Sequence, residues 1–365
     1  MQRRSFIRTA ALGAAAGATL AGCGPDSEGG GAPNVQTRPR LRWRLASSFP
    51  RSLDTIYGAA DVLAQRLAEL TEGRFSLRVH QAGELVPFDQ VLDAVQKGTV
   101  QMGHSASYYF IGKNPALAFD CTVPFGLTAR MYNAWVYHGG GLDLLRGLFS
   151  DFNIINFPGG NTGTQMGGWF KRTVGSVADL RGLKMRIPGL GGRVMDQLGV
   201  NVQVLAGGEI YQALERGAID AAEWVGPYDD AKLDFPSVAS HYYYPGWWEP
   251  GPALTFYINR DAYGALPSAY QHALAAATAE ANVDMLARYD ALNPPALQRL
   301  LDGGTQLHPF PDDVMQAART AATEILDGAS TDAGYRQLHD AYRAWREQSY
   351  RWFGTAEQAY ARFAF

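Results

Sequence analysis

Apolar and polar positions along the chain follow two periods, and the switching between them lays out the secondary structure. Leu41 to Ala46 alternates apolar with charged side chains, the two-residue period of a half-buried strand. Ser52 to Glu72 places Ile56, Ala60, Leu63, Leu67 and Leu70 at helical intervals, with Gly73 where a helix C-cap falls. Phe75 to His80 predicts a second strand, Phe88 to Lys97 a second helix stopping at Gly98, and Met102 to Ser107 a third strand. Strand, helix, strand, helix, strand is the signature of one doubly wound α/β lobe.

A second cycle follows without repeating the first one's sequence. After 153–158, Thr164 to Phe170 predicts a strand, Ser176 to Leu180 a short helix, Lys184 to Ile187 a strand and Gly192 to Leu198 a helix. Glu209 to Arg216 is helical, and Ala218 to Trp224 runs into a strand edge. Ala253 to Asn259 alternates as a strand, Pro267 to Arg288 is a long Ala-rich helix, and Pro311 to Gly328 and Tyr335 to Phe365 read as helices. The pattern divides into lobe 1 (41–162 plus 250–290), lobe 2 (163–249 plus 291–330) and a helical C-terminal extension (331–365). Two α/β lobes joined by crossing segments imply a cleft between them, the usual seat of a small ligand.

The start of the chain reads as an address. Arg3 and Arg4 precede a weakly apolar, Ala- and Gly-rich run from Thr9 to Gly22, the form of an export signal over 1–23, with the paired arginines pointing to the twin-arginine route. The run is too short to span a membrane, which takes about 20 apolar residues. Leu20-Ala21-Gly22-Cys23 has the form of a lipobox, which would make Cys23 a lipid anchor; a cysteine falling inside a signal by chance is the plainer reading. Residues 24–40, with three consecutive glycines, suit a flexible tether.

Composition narrows the function. The 365 residues are 47% apolar and 18% charged, enough for a large packed interior and against disorder. Without Arg3, Arg4 and Arg8 the balance is 29 basic against 35 acidic residues, a net charge of -6, a poor prior for nucleic-acid binding. Two cysteines, Cys23 and Cys121, cannot build a disulfide framework or a cysteine zinc site. There is no HExxH, P-loop, GxSxG or CxxC, and the seven histidines are scattered. Gly189-Leu190-Gly191-Gly192 before a helix lacks the third glycine of a dinucleotide loop.

What stands out is a set of polar groups in aromatic, glycine-rich turns: Asn161 to Gln165, Lys184-Met185-Arg186-Ile187-Pro188-Gly189, Glu223 to Asp230, and Tyr242 to Pro250. A guanidinium in a partly dry cleft is a bidentate partner for a carboxylate, which fits Arg186. Glu223 and Glu249, each beside a Trp, would suit a hard cation, completed by the amide oxygen of Gln165 and a backbone carbonyl. On spacing alone the plainer reading is a structural ion pair for Arg186 and solvated side chains for the two glutamates.

Together with Trp43 to Pro50, Ala82-Gly83-Glu84-Leu85, Tyr137 to Gly141, Gln165 to Phe170 and Lys184-Met185-Arg186, the last two runs resemble the solute-binding (DctP-type) subunits of TRAP transporters. The similarity is greatest to the branch that binds 2-oxo acids such as pyruvate with a cation. The resemblance implies a two-lobed periplasmic-binding-protein-like fold, a periplasmic protein that is not an enzyme, and delivery of a small organic acid to membrane permease subunits. It implies that Arg186 pairs with the ligand carboxylate, and that Gln165, Glu223, the Trp224 carbonyl and Glu249 hold a cation, sodium rather than calcium. Tyr108 and Tyr109 would wall the pocket, with Asn161 beside them, and the aromatic C-terminal helix would reach a partner subunit in a homodimer. The sequence departs from that branch at Phe110-Ile111, Ile187-Pro188 and Cys121, which leaves the ligand side chain open. Binding of a hydroxy acid, dicarboxylate or sugar acid is the nearer alternative; a metal-dependent enzyme using Glu223 or Glu249 as base is the more distant one.

Overall fold

The computed structural model describes residues 38–329 and 332–365. The export signal, Cys23 and most of the tether lie outside the described residues. Along the chain come β1 (Leu41–Ser47), β2 (Phe75–His80), β3 (Met102–Ser105) and β4 (Ile154–Asn161), then β5 (Trp169–Phe170), β6 (Lys184–Arg186), β7 (Asn201–Gln203), β8 (Ala221–Ala222) and β9 (His241–Tyr244), and last β10 (Ala253–Asn259) and β11 (Gln306–Pro309). They form two sheets, ordered β2-β1-β3-β10-β4 and β11-β9-β5-β8-β6-β7. In the first, β1 is parallel to β2 and β3, and β10 is antiparallel to β3 and β4. In the second, β6 is parallel to β7 and β8, and β5 antiparallel to β8 and β9.

Among the described residues the chain passes between the sheets from β4 to β5, from β9 to β10, and along the helix Ser268–Asp302 from β10 to β11. The helix Gly58–Leu70 buries Ala60, Leu63 and Leu67, the apolar positions of its 3.6-residue stripe. A second apolar cluster lies in the second lobe around Phe170, Met185, Val194 and Val314.

Three differences from the sequence pattern have physical reasons. Only Trp169–Phe170 of the stretch from Thr164 is a strand. The backbone before it bonds three separate segments instead, with Gln165, Met166 and Gly167 N–H donating to the carbonyls of Glu249 (3.1 Å), Val225 (3.0 Å) and Tyr243 (2.7 Å). β4 runs through Pro158, which an edge strand tolerates because its outer N–H has no ladder partner to lose. The long helix continues past Arg288 and through Pro294 and Pro295. The carbonyls these prolines cannot bond belong to Asp290 and Ala291, both on exposed residues that water can reach.

The C-terminal helix Ala333–Phe353 buries Tyr335, Leu338 and Tyr342 against the first lobe, where the Tyr342 hydroxyl accepts from Leu127 N–H at 2.9 Å. Its end and the helix Ala359–Ala364 leave Trp352 63% and Phe363 93% exposed. No helix among the described residues is long and apolar enough to cross a membrane.

One buried acid ties β10 to the edge strand β4 in the first lobe. Asp120, 2% exposed, accepts from Ser107 Oγ, from Thr255 Oγ1 on β10 at 2.6 Å and from Asn156 Nδ2 on β4 at 3.2 Å. Burial pushes its pKa up to about 7, against three hydrogen bonds that favour the anion. Because the folded state retains a proton that the unfolded chain releases above about pH 4, this group lowers stability as pH rises towards 7, by up to a few kcal/mol. Thermal melts from pH 4 to 8 should show a smaller pH-dependent fall for Asp120→Asn than for the wild type.

Candidate functional site

The site forms where parallel strands of the second sheet end. Arg186 closes β6, in register with Gln203 on β7 and Ala222 on β8. Glu223 follows β8 directly, and its N–H donates to the Arg186 carbonyl at 3.2 Å, so adjacent strand ends deliver a cation and an anion to one point. Pro188 and Gly189, the latter at φ 66°, then turn the chain into the helix Gly189–Gln197. Gln165 arrives on the crossing from β4 and Glu249 on the crossing from β9, joined by the bond from Gln165 N–H to the Glu249 carbonyl.

Arg186 is 1% exposed. Its Nη1 donates to the Glu223 carbonyl (2.9 Å) and to Glu223 Oε1 (2.5 Å), and its Nε to the Leu205 carbonyl (3.2 Å). The Trp224 ring lies against the guanidinium, 5.0 Å from centroid to Cζ. The structural ion pair that the sequence left open therefore exists, and it uses one of the two terminal nitrogens. Arg186 Nη2 is buried with no hydrogen-bond partner.

Three acceptors are in the same condition: Gln165 Oε1, Glu223 Oε2 and Glu249 Oε2. Gln165 spends its Nε2 on Thr162 Oγ1 at 3.1 Å, which leaves its oxygen free. A buried polar atom without a partner costs about 1–3 kcal/mol, more when charged, so four of them in one neighbourhood mark a place built for something else. Burial pushes Glu223 up to about 7 against the pull of Arg186. Glu249 is pushed well up by burial and then by the neighbouring Glu223. With all three groups ionised the net charge is -1, which a dry pocket tolerates only by taking up a proton or a cation.

Tyr108 and Tyr109 pack edge to face, 4.9 Å between ring centroids. The first faces the Glu249 carboxylate and the second Arg186. Burial pushes the Tyr109 hydroxyl up to about 12 and Tyr108 well above its ordinary range, so both remain neutral donors. Phe49, Ile56, Tyr108, Tyr109, Thr162, Gln165, Arg186, Trp224, Val225, Pro252 and Leu254 surround a small cavity. Asn161 is buried beside it but occupied, donating to the Gly251 carbonyl (3.0 Å) and accepting from Gly163 N–H (2.9 Å), so Thr162 lines the cavity in its place. Sequence reading gave no role to Thr162 or the apolar wall, although Thr162, Phe49 and Val225 fall in the quoted runs; Ile56, Pro252 and Leu254 carried no signal of a site. A larger groove lies between the helix Asp312–Gly328 and the C-terminal helix, and none of Arg186, Gln165, Glu223 and Glu249 lines it. The smaller cavity is lined by Arg186 and Gln165, two of the residues with unpaired atoms, and not by Glu223 or Glu249.

The unpaired acceptors are oxygens only, from two carboxylates and an amide. That chemistry fits a hard cation such as sodium or calcium, not a soft metal. Among the described residues no cluster of three or more His, Cys, Asp or Glu could hold a metal, so a cation here depends on neutral oxygens beside the two acids.

A two-lobed α/β body whose small cavity is lined by a buried guanidinium and an unpaired amide oxygen has the form of a binding protein for small organic anions. The chain belongs to the DctP family of bacterial extracellular solute-binding proteins, family 7, whose model matches residues 46–332. It is 54% identical, over 100% of this chain and 99% of the relative, to a monocarboxylate 2-oxoacid-binding periplasmic protein of Nostoc sp.. A TRAP transporter solute-binding protein of Bordetella bronchiseptica, a dimer crystallised with calcium and picolinate, superposes with a TM-score of 0.88 at 48% identity, covering 90% of this chain and 98% of that one. One from Pseudoalteromonas atlantica with bound sodium and pyruvate superposes with a TM-score of 0.86 at 39% identity, covering 88% and 99%. These are transport binding proteins, not enzymes.

Gly168 sets the distance between the crossing segment and Glu223. It sits at φ 81°, and a Cβ there would meet the Ala222 carbonyl oxygen at 2.6 Å and Glu223 Cβ at 3.1 Å. Gly168→Ala should destabilise the protein by about 2 kcal/mol or more, measured by chemical denaturation, and lower ligand affinity with it.

Proposed function

We propose that this chain captures a small 2-oxo monocarboxylate, pyruvate-like in size, together with a cation, and delivers it to the membrane permease of a TRAP transporter. One observation carries the reading: Arg186 Nη2 and Gln165 Oε1 are unpaired on residues that line one small cavity, and Glu223 Oε2, on the acid bonded to Arg186, and Glu249 Oε2 are buried and unpaired as well. Arg186 binds the carboxylate of the acid; Gln165, Glu223, the Trp224 carbonyl and Glu249 hold the cation, which bridges to the same carboxylate. Tyr108 and Tyr109 close the wall and donate to ligand oxygens, and Asn161 braces the turn that presents Thr162 and Gln165. The lone arginine of the cavity disfavours a dicarboxylate, whose second anionic end would lack a partner. The enzyme alternative lacks an activated nucleophile: burial and then Glu249 push the Cys121 thiol well above its ordinary range, which keeps it protonated.

Sodium is the cation in this reading, as in the Pseudoalteromonas protein. Calcium, as in the Bordetella protein, is the second reading: Glu223, Glu249, Arg186 and a monocarboxylate sum to -2, which a divalent ion alone would neutralise. Export to the periplasm by the twin-arginine route, a lipid anchor at Cys23 and a homodimer through the exposed aromatic end of the C-terminal helix complete the proposal. A lobe closing over the ligand expels water and strengthens every charge contact inside.

A micromolar ligand needs about 8 kcal/mol, more than one charge-assisted pair supplies, so the cation contributes to affinity. Calorimetry should show Arg186→Lys, which keeps a positive partner for Glu223, weakening pyruvate binding at least about tenfold, and Arg186→Ala abolishing it. Glu249→Gln should weaken binding most in cation-depleted buffer; unchanged affinity in all three variants would refute the site. Acidification supplies a further test. Because Glu223 and Glu249 hold protons more tightly than ordinary carboxylates, lowering the pH from 8 to 5 at fixed sodium should protonate them and weaken pyruvate binding.

A further inference from the structure

We infer that Asp229 is a positioning residue for the cation-binding loop, acting through Trp224; the inference rests on the oxo-acid and cation reading of the site. Asp229 is 0% exposed. One oxygen, Oδ2, accepts from the Trp224 indole Nε1 at 3.4 Å and from the Tyr289 hydroxyl at 2.7 Å. Tyr289 belongs to the long helix Ser268–Asp302, which also fixes the start of the next turn, since Asn293 Oδ1 accepts from Tyr228 N–H at 3.0 Å. The Asp229 carboxyl therefore clamps the Trp224 ring to the helix that connects the two sheets.

The geometry matters because of what Trp224 carries. Its ring rests on the Arg186 guanidinium, and its backbone follows Glu223, so rotating the indole would disturb both the ligand's charge partner and two of the cation's oxygens. The next residue is held in the same way from the other side. Asp230 Oδ1 accepts from Val225 N–H at 3.4 Å, while its Oδ2 accepts from Trp169 Nε1 (3.0 Å) and the Tyr242 hydroxyl (2.7 Å) on the second sheet. Two adjacent buried acids thus anchor one loop, Asp230 to the sheet and Asp229 to the helix. Burying two neighbouring carboxyls costs free energy, and a loop with no precise geometry to keep could have closed with apolar side chains. Neither acid touches the cavity.

Asp229→Asn, Tyr289→Phe and Trp224→Phe, with the double variant Asp229→Asn/Trp224→Phe, separate positioning from bulk stability. For each, calorimetry measures the affinity for pyruvate at saturating sodium or calcium chloride and the concentration of each cation needed for half-maximal binding, beside the melting temperature without ligand. Asp229→Asn and Tyr289→Phe are expected to raise the cation concentration required by roughly tenfold, more than they weaken pyruvate binding at saturating cation. The double variant is expected to lose no more than Trp224→Phe alone, because the two side chains act as one unit. A lowered melting temperature with unchanged cation requirement, or losses that simply add, overturns the inference; should Asp229→Asn not fold, Tyr289→Phe decides the question by the same readout. Wild-type protein that binds no oxo acid removes the functional reading and this inference with it, whereas a wild type that binds, with variants that match it, overturns the inference alone.

Discussion

Arg186 and Glu223 are bound to each other at the ends of neighbouring strands, buried from water, and neither is satisfied by the bond. One guanidinium nitrogen and one carboxylate oxygen are used, and one of each is left over. Glu249, also buried, adds a second carboxylate that no second positive charge matches among the groups facing it. An ion pair of this kind is a poor source of stability, since desolvating the partners costs about what their attraction returns. In the proposed reading its value lies in preorganisation: a donor for an acid head group and acceptors for a cation would stand ready before either arrives.

The fold exists in the form that makes this possible. Parallel strand ends put Arg186 and Glu223 side by side, while Gln165 and Glu249 come from crossings that run between the two sheets. Groups that meet the same ligand are thus carried by segments whose relation depends on how the lobes sit. The bond from Gln165 to the Glu249 carbonyl and the bonds from Met166 and Gly167 to Val225 and Tyr243 stitch these segments into one unit. The long helix supports that unit from outside through Tyr289 and Asn293.

Much of the architecture was legible because periodicity is local. β2 and β10 begin and end where alternation does, and the stripe of Leu63 and Leu67 marks the first helix. What local pattern could not show was context. Pro294 and Pro295 signal a helix end, and only the solvent around Asp290 and Ala291 explains why the helix continues. Pro158 argues against a strand until β4 is known to lie at a sheet edge. At the site, the arginine, the glutamates and Gln165 stood out as polar residues in aromatic turns, and family resemblance gave them roles. That Arg186 pairs with Glu223 and still keeps a free nitrogen is a fact of three dimensions. Asp120 went unmarked, and Asp229 and Asp230 only closed the run from Glu223 without a role, because nothing in a sequence distinguishes a carboxylate in water from one enclosed by hydroxyls and indoles.

The account turns on the cation completing a pocket that is one positive charge short. The direct measurement is pyruvate affinity by calorimetry in chelator-treated buffer to which sodium chloride, or separately calcium chloride, is added in steps at constant ionic strength. The dissociation constant should fall by about tenfold for each tenfold rise in one of these cations until it saturates, the slope of one ion taken up with each acid. Tight binding in metal-free buffer, with no response to either ion, would contradict it.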